Sequence, residues 1–320
     1  MSARYLLRRL AQLVPAVAGI VLVAFVIIHV APGDPVLALA GQHGDVAYYA
    51  FMRAKFGLNR PLPEQLVVYA ANVVRGDLGT SYVHGRPVVA VVLERLPATL
   101  LLMTTSLLAS SLAGIALGVT AARRADRTAD LLVRFAALVG YATPSFWLAQ
   151  IAALTLALGT GLFPVQGISD ARQAWTGWRY VGDVVHHLAL PALVLAANEL
   201  ALTTRLVRAG VLDALTTDYI RTARAKGLPE PAVVRHALRN ALLPVVTVIG
   251  GRIGMLFTGA VLVETVFAWP GLGLLLLSSI QTRDTPVLLA LFLLVSLAVI
   301  LTNVITDLTY AWLDPRIRYD

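Results

Sequence analysis

Residues 97–122 read PATLLLMTTSLLASSLAGIALGVTAA, twenty-six consecutive positions without an ionisable side chain. A helix rises about 1.5 Å per residue, so roughly 20 mostly apolar residues cross the hydrocarbon core of a bilayer. This run is long enough to span a membrane, and similar runs lie on both sides of it. Residues 10–31 come before it, interrupted only by His29. Residues 135–158 follow, with Pro144 at their middle. Residues 188–209 contain Glu199 and end in Arg205 and Arg208, residues 240–263 contain Arg252, and residues 285–306 carry no charge. The pattern predicts an all-α integral membrane protein with six transmembrane helices. The fourth and fifth of these each place a charge inside the membrane.

Composition agrees. Of 320 residues, 58% are hydrophobic and 14% charged, well below the ~25% charge of a soluble globular chain. A water-soluble enzyme could not cover its surface with so few polar groups. The net charge of +8 does not indicate a nucleic acid partner, because the basic residues lie between the apolar runs. They report topology relative to the lipid bilayer instead. Arg4, Arg8 and Arg9 precede the first run as in a secretory signal, but the run exceeds the ~7–15 residues of a signal core and no small-x-small site follows. It reads as an uncleaved first helix.

Lysine and arginine mark the cytoplasmic loops. The N-terminus has three, residues 123–134 four, residues 205–239 seven and the C-terminal tail two. On the other side are six in the long 32–96 segment, two in 159–187 and one in 264–284. Long translocated segments escape the rule, so the short loops decide, and both termini are expected in the cytoplasm. The predicted organisation is an N-terminal transmembrane helix over 1–31 and an extracytoplasmic segment over 32–96. A five-helix core follows over 97–308, with a cytoplasmic loop at 210–240, and then a cytoplasmic tail over 309–320. Within 32–96, punctuation at Gly33-Asp34-Pro35, Asn59-Arg60-Pro61-Leu62-Pro63 and Gly76-Asp77-Leu78-Gly79 separates stretches such as 63–75 that suit short helices.

Catalytic chemistry is hard to place on this chain. A phosphate-binding loop ends in Gly-Lys-Ser/Thr, whereas the two lysines sit in Ala54-Lys55-Phe56 and Ala225-Lys226-Gly227. With no cysteine there are no disulfides, cysteine–zinc sites or thiol nucleophiles. The histidines are His29, His43, His84, His186, His187 and His236, with no His-Glu-x-x-His among them. Adjacent His186 and His187 point to different sides of a helix and read as an interfacial pair near a helix start. No Gly-x-Ser-x-Gly elbow occurs. The sequence predicts a non-catalytic chain that binds no cofactor or metal. Gly114-x-x-x-Gly118 and Gly250-x-x-x-Gly254 allow close helix contact, within the chain or at a subunit interface.

The most informative stretch lies in the 210–240 loop: Asp218-Tyr219-Ile220-Arg221-Thr222-Ala223-Arg224-Ala225-Lys226-Gly227-Leu228-Pro229. Thr217 or Asp218 can cap a helix of two to three turns that Gly227 and Pro229 stop. Ala223 and Gly227, four apart, form a bare face beside a basic rim of Arg221, Arg224 and Lys226. Such a face either lets a partner's groove approach the backbone or is a solvated loop near anionic lipid. Residues 231–240 predict a second short helix, with Arg235 and Arg239 on one face, leading to Leu242-Leu243-Pro244.

Here the sequence resembles a known family, the inner-membrane permease subunits of binding-protein-dependent ABC importers, in the dipeptide/oligopeptide/nickel branch. The stretch from Asp218 to Pro244 is similar to that family's Glu-Ala-Ala…Gly…Leu-Pro coupling loop. Also similar are Glu264-Thr265-Val266-Phe267-Ala268-Trp269-Pro270-Gly271-Leu272-Gly273, Thr143-Pro144-Ser145-Phe146-Trp147, and Leu313-Asp314-Pro315-Arg316-Ile317-Arg318, together with the 33–35 and 76–79 motifs. Two departures stand out. Arg221, followed by Thr222-Ala223, takes the place of the family's Glu, so no contact of that Glu carries over. The interval from Gly227 to Pro244 is four residues longer than the general family spacing.

The resemblance implies a type I ABC importer permease fold in the plasma (inner) membrane of a prokaryote, with Ala223 and Gly227 on the helix that docks into an ATPase. It also implies a second homologous permease, two ATP-binding cassette subunits that carry ATP and Mg, and an extracytoplasmic substrate-binding protein. The implied solute is a peptide, with a nickel or metal chelate next. The competing class is an ion-coupled secondary transporter or channel without an ATPase partner, which should show interrupted helices at matching places in both halves. Pro144 breaks the third run, and the sixth has no matching break.

Glu199 lies eleven residues into its run and Arg252 twelve into its own, each roughly 16–18 Å from its starting surface. A lone charge there costs about 2.5–3.5 kcal/mol, so each needs a partner or a wet cavity. Either the two pair across adjacent helices, or both independently line the aqueous path and meet the ends of a charged solute, or one of the spans is misplaced. The topology itself is testable with reporters. A fusion after Arg124 should report cytoplasmic and one after Gly167 extracytoplasmic, and the reverse labelling would invert the scheme.

Overall fold

In the computed structural model, residues 3–30, 47, 50, 51 and 59–313 are described. The motif at 33–35, His43, Lys55 and the tail motif beyond Leu313 lie outside these residues, as does the side chain of His29. The longer helices are α1 (Ala3–Val30), α2 (Leu62–Val74), α3 (Val88–Arg123), α4 (Thr128–Ala142) and α5 (Ser145–Ala152), which runs on as a π-helical stretch over Ala153–Gly159. They continue with α6 (Trp178–Leu215), α7 (Asp218–Ala225), α8 (Glu230–Gly251), α9 (Ile253–Val266), α10 (Leu272–Thr282) and α11 (Thr285–Leu313). Among the described residues there is an isolated bridge between Thr80 and Pro87 but no extended strand. Among the described residues three helices are individually long and apolar enough to cross a membrane, and counting each of two bent pairs as one span raises the number to five. Many of their large apolar side chains are exposed, including Leu108, Leu112, Leu132, Phe135 and Leu193, a distribution suited to lipid rather than water.

Two expected spans are not continuous helices. The run over 135–158 turns by 103° between α4 and the helix beginning at Ser145. Proline disfavours helical backbone in the residue before it, and Thr143 is extended at φ −84°, ψ 123°. The run over 240–263 is likewise broken at Arg252, which separates α8 from α9. The second short helix expected over 231–240 is instead the start of α8, which carries Pro244 and bends by 43° there. A proline inside a helix loses one backbone hydrogen bond but need not end it in a membrane protein.

The described residues form two compact units. One takes in those of 1–97 with 274–301. Within it α1 packs on α2, with the Phe25 and Tyr69 ring centroids 6.1 Å apart. The glycine motif at 76–79 forms a tight turn, with Gly76 and Gly79 at φ +77° and +82° and the Asp77 carboxylate accepting from the Gly79 N–H at 3.0 Å. The following loop is held by Asp284, whose buried carboxylate accepts from Ser81 Oγ at 2.5 Å and the Tyr82 N–H at 3.1 Å. Burial and the nearby Asp284 charge push the Tyr82 phenol up to about 12.

The second unit holds those of 98–273 with 302–318. Its two apolar clusters are built largely from small residues and valines, which let helices approach closely. A Cβ on Gly114 would lie 2.7 Å from Thr203 Cβ, and one on Gly118 2.7 Å from Val207 Cβ and 2.8 Å from the Thr204 carbonyl. The first small-residue motif is thus a contact of α3 with α6 inside the chain, and Gly250 lies similarly against Thr306. Overfilling a packed contact costs about 1–3 kcal/mol. Gly118→Val should lower the thermal midpoint of the purified chain by several degrees. Gly19→Val, with nothing within 4 Å, should leave it unchanged. Equal midpoints would mean that α3 and α6 do not meet at Gly118.

Candidate functional site

The 210–240 loop is ordered by one buried side chain and one glycine. Ile220 is fully buried in a cluster with Val207 and Val211 of α6 and Val233 and Ala237 of α8, which fixes α7 against both helices. Thr217 occupies the N-cap position but does not cap through its side chain: its hydroxyl donates back to the Ala214 carbonyl at 2.5 Å. At the other end, the Leu228 N–H donates to the Ala223 carbonyl at 3.2 Å and the Gly227 N–H to the Arg224 carbonyl at 2.9 Å. That is a Schellman closure, which requires the positive φ of +77° at Gly227. Arg224 Nε donates to Glu230 at 2.8 Å, tying α7 to the first turn of α8, while Arg221 reaches Asp218 at 3.2 Å.

The exposed side of α7 presents Asp218, Tyr219, Thr222, Ala225 and Lys226. Gly227 and the basic side chains of Arg221 and Arg224 are also exposed. Ala223 is half-buried on the side of Ile220, so the bare patch expected around Ala223 and Gly227 is displaced toward Thr222 and Ala225.

Just above this loop, Asp130 of α4 and Arg208 of α6 form a two-bond fork, Nε to Oδ1 and Nη2 to Oδ2, both at 2.6 Å. Asp130 is buried and also accepts from the Asp126 N–H at 3.0 Å, where the chain turns at φ +61°. Arg208 adjoins Val207 of the cluster that holds Ile220, so the fork joins the 124–130 turn to the part of α6 that supports α7.

The second constellation lies where α6 meets the break between α8 and α9. Arg252 Nε donates to Glu199 Oε1 and Oε2, each at 3.0 Å, and Nη2 reaches Asn198 Oδ1 at 3.4 Å. Glu199 and Arg252 are therefore brought together, and they also line one cavity of about 310 Å³ with Thr143, Pro144 and Ser145. The two readings of these charges, pairing and lining a cavity, coexist in one geometry. His186 and His187, by contrast, are locally tied: His186 Nε2 lies 2.8 Å from the Leu162 carbonyl and His187 Nδ1 3.2 Å from Asp183 Oδ1. Both line a second cavity of about 550 Å³ beside Asp170 and Arg172. Among the described residues no group of three or more His, Asp or Glu is arranged to hold a metal.

The model for "Binding-protein-dependent transport system inner membrane component" matches residues 114–319, and the N-terminal membrane-component model of the same systems matches 2–103. The chain belongs to this family. It is 40% identical over 319 residues to the oligopeptide transport system permease protein AppB of Bacillus subtilis (strain 168), covering 99% of this chain and 100% of that one. The dipeptide transport system permease protein DppB of Escherichia coli (strain K12) is 39% identical over 335 residues, covering 99% of each chain. The glutathione transport system permease protein GsiC of Salmonella typhimurium (strain LT2) is 39% identical over 316 residues, covering 98% of this chain and 99% of that one. This inner membrane component is a multi-pass plasma-membrane protein.

The 264–273 motif, quoted above for the resemblance alone, has a structural role in this inner membrane component. Glu264 is fully buried; its carboxylate accepts from Thr99 Oγ1 at 2.7 Å and the Gly273 N–H at 2.6 Å. Thr99 in turn accepts from the Leu272 N–H at 2.7 Å, and the Trp269 indole donates to the Ala98 carbonyl at 2.9 Å. A side chain on Gly271 would collide with the Glu264 carboxylate, which is why a glycine follows Pro270. Asp130, Thr99 and Asp284 are the polar residues that the sequence reading missed. Asp130 had a signal, one of two acids, with Asp126, among Arg123, Arg124, Arg127 and Arg134.

Breaking a buried charge pair by removing one partner costs about 3–5 kcal/mol, because the other is left uncompensated. Arg208 retains some solvent access, so Asp130→Asn should fall at or below the lower end of that range. The variant should denature at a clearly lower temperature in detergent, with the Asp130→Asn/Arg208→Gln double variant partly restored. Strictly additive losses would show that the two side chains do not act as a pair.

Proposed function

We propose that this chain is the membrane-spanning permease subunit of an ATP-driven importer of peptides and forms half of the translocation pathway. The carrying observation is end-to-end identity of 39–40% to oligopeptide, dipeptide and glutathione permeases, three solutes built on peptide bonds. A metal chelate ranks behind peptides on the same grounds. The reading includes six membrane crossings with both termini cytoplasmic, the third crossing broken at Pro144 and the fifth at Arg252. It includes the 32–96 extracytoplasmic segment and the 97–308 core. The partners are a second, homologous permease, two ATPase subunits that bind ATP and Mg, and an extracytoplasmic binding protein that delivers the solute.

In this reading α7 is the coupling helix. It is short, exposed on one side and pinned on the other by Ile220, so a groove on an ATPase can hold it and move it as a body. ATP-driven closure of the two ATPases displaces α7, α6 and α8 follow through the Ile220 cluster, and the Asp130–Arg208 fork carries the turn before α4 along. The membrane helices then reopen toward the binding protein. Taking such a two-state equilibrium from 1:99 to 99:1 requires about 5.5 kcal/mol of differential binding, which the ATPases must supply.

Ala225 is the position to probe, because Gly227 is confounded by its cap: any side chain at φ +77° strains the loop whether or not a partner docks there. Ala225→Trp adds bulk to the exposed side alone. Its yield should match wild type, while copurification of the ATPases and ATP-dependent peptide uptake should both collapse. Normal ATPase assembly with an indole at 225 would show that this side of α7 is not the docking surface. Peptide uptake by the wild-type chain without ATPase subunits would overturn the ATP-driven reading.

A further inference from the structure

The cavity at the middle of the spans combines features that packing alone does not require. Both helix interruptions of the second unit, at Thr143–Ser145 and at Arg252, line the same 310 Å³ space as Asn198 and Glu199. Non-helical backbone at membrane depth is tolerated where it is enclosed by protein or lines a water-filled cavity, and ligand cavities begin at about 300 Å³. A purely structural ion pair needs neither the space nor the two breaks.

The pairing is also incomplete on the arginine side. Guanidinium has five N–H donors in a planar fork. Arg252 places Nε on Glu199 and one Nη2 hydrogen toward Asn198 at 3.4 Å, while Nη1 has no acceptor among the described residues. The Nη edge, which normally binds a carboxylate in two parallel bonds, is left toward other acceptors. Glu199 is nearly buried, at 8% side-chain exposure, so it needs a cation whenever Arg252 turns away.

We infer that Glu199 and Arg252 form a charge-exchange site for the two ends of a peptide in transit, a reading that rests on the chain being a peptide permease. In the empty pathway the two side chains neutralise each other. A peptide with free termini is itself a neutral zwitterion. When it arrives, its carboxylate takes the Nη edge of Arg252 and its ammonium takes Glu199, so that one ion pair becomes two. No net charge is created at any point, which is the condition for moving charged termini through a low-dielectric region at small cost. The site favours solutes that carry both charges over solutes that carry one, since a single charge would leave either Glu199 or Arg252 unmatched.

The test uses the whole importer in liposomes, with its second permease, ATPases and binding protein, and radiolabelled trialanine as the probe. Glu199→Gln and Arg252→Gln should each lower the folded yield, since each strands the other charge. The Glu199→Gln/Arg252→Gln double variant removes both charges at nearly constant volume. It should recover folded yield and assembly with the ATPases, yet transport trialanine at least about tenfold more slowly, since it loses the charge-assisted contacts to both ends of the peptide. Wild-type uptake by the double variant would overturn the inference and leave the pair purely structural. No ATP-dependent trialanine uptake by the wild-type importer would overturn the peptide-permease reading itself. Should the double variant insert poorly, Ser145→Cys decides instead, because the chain has no native cysteine. Trialanine during turnover should slow modification of that thiol by a methanethiosulfonate reagent, and an unchanged rate would count against peptide passage through this cavity.

Discussion

A bilayer core offers no water to an unpaired polar group, so a donor, acceptor or charge buried at membrane depth has to be answered by the protein itself. The polar architecture follows from that constraint. Hydroxyls inside α3 return to their own helix, Ser106 to the Leu102 carbonyl at 2.7 Å and Ser110 to the Leu107 carbonyl at 3.0 Å. Charges are answered across helices, Glu199 by Arg252 and Asp130 by Arg208. Glu264 is answered by Thr99 and the Gly273 backbone. The side-chain closures of Glu199, Asp130 and Glu264 hold together segments 53, 78 and 165 residues apart, so the groups hardest to bury also fix the fold.

The apolar packing follows the same environment. Lipid tails are as apolar as leucine, so burying a leucine between helices gains little, and association depends instead on close fit. This accounts for the glycines of α3 facing Thr203 and Val207 and for Gly210, where an added Cβ would lie 3.1 Å from Ala241 Cβ. It also accounts for the large residues that remain on the outside. The α3–α6–α8 contacts are backbone-close and leave little room for sliding. Motion in this unit is better accommodated at its breaks, near Pro144 and Arg252, than along its packed helices.

How much of this could be read from sequence depends on the range of the interaction. The membrane class, the position of α7 and its stop at Gly227 rest on local signals: apolar run length, a glycine needing positive φ, a proline that starts the next helix. All of these are visible in one dimension. The third run was known to contain Pro144, but a turn of 103° depends on what the two halves pack against. The break at Arg252 follows the adjacent pair Gly250-Gly251, a local signature of a kink that is easily taken for a close-contact motif alone. Arg252 itself stands out as a charge that ought not to be mid-span. Glu199 and Arg252 were both singled out by that argument, yet whether they met was a question of helix adjacency. Asp130–Arg208 and Thr99–Glu264 are separated by 78 and 165 residues, and no periodicity connects them.

The helix that carries most of the proposed mechanism is α6. Over its 38 residues it bears Glu199 at the cavity, Arg208 at the fork with Asp130 and Val207 and Val211 at the Ile220 cluster, before leading through a two-residue turn into α7. Glu199 and Arg208 are nine residues apart, roughly 13–14 Å along one helix. Pro191 is the sole proline in α6, and it precedes both. The stretch from Glu199 to Leu215 therefore has no proline hinge and is gripped on its α3 side by glycine contacts. On the proposed mechanism, a displacement imposed on α7 reaches Glu199 as a rigid shift of this stretch. Arg252 sits across a helix break and is free to respond differently. A coupling stroke that moves one member of an ion pair with a rigid helix, and leaves the other at a joint, changes the distance between them. That is the geometric requirement for a pair that closes when the pathway is empty and opens when a zwitterion must pass.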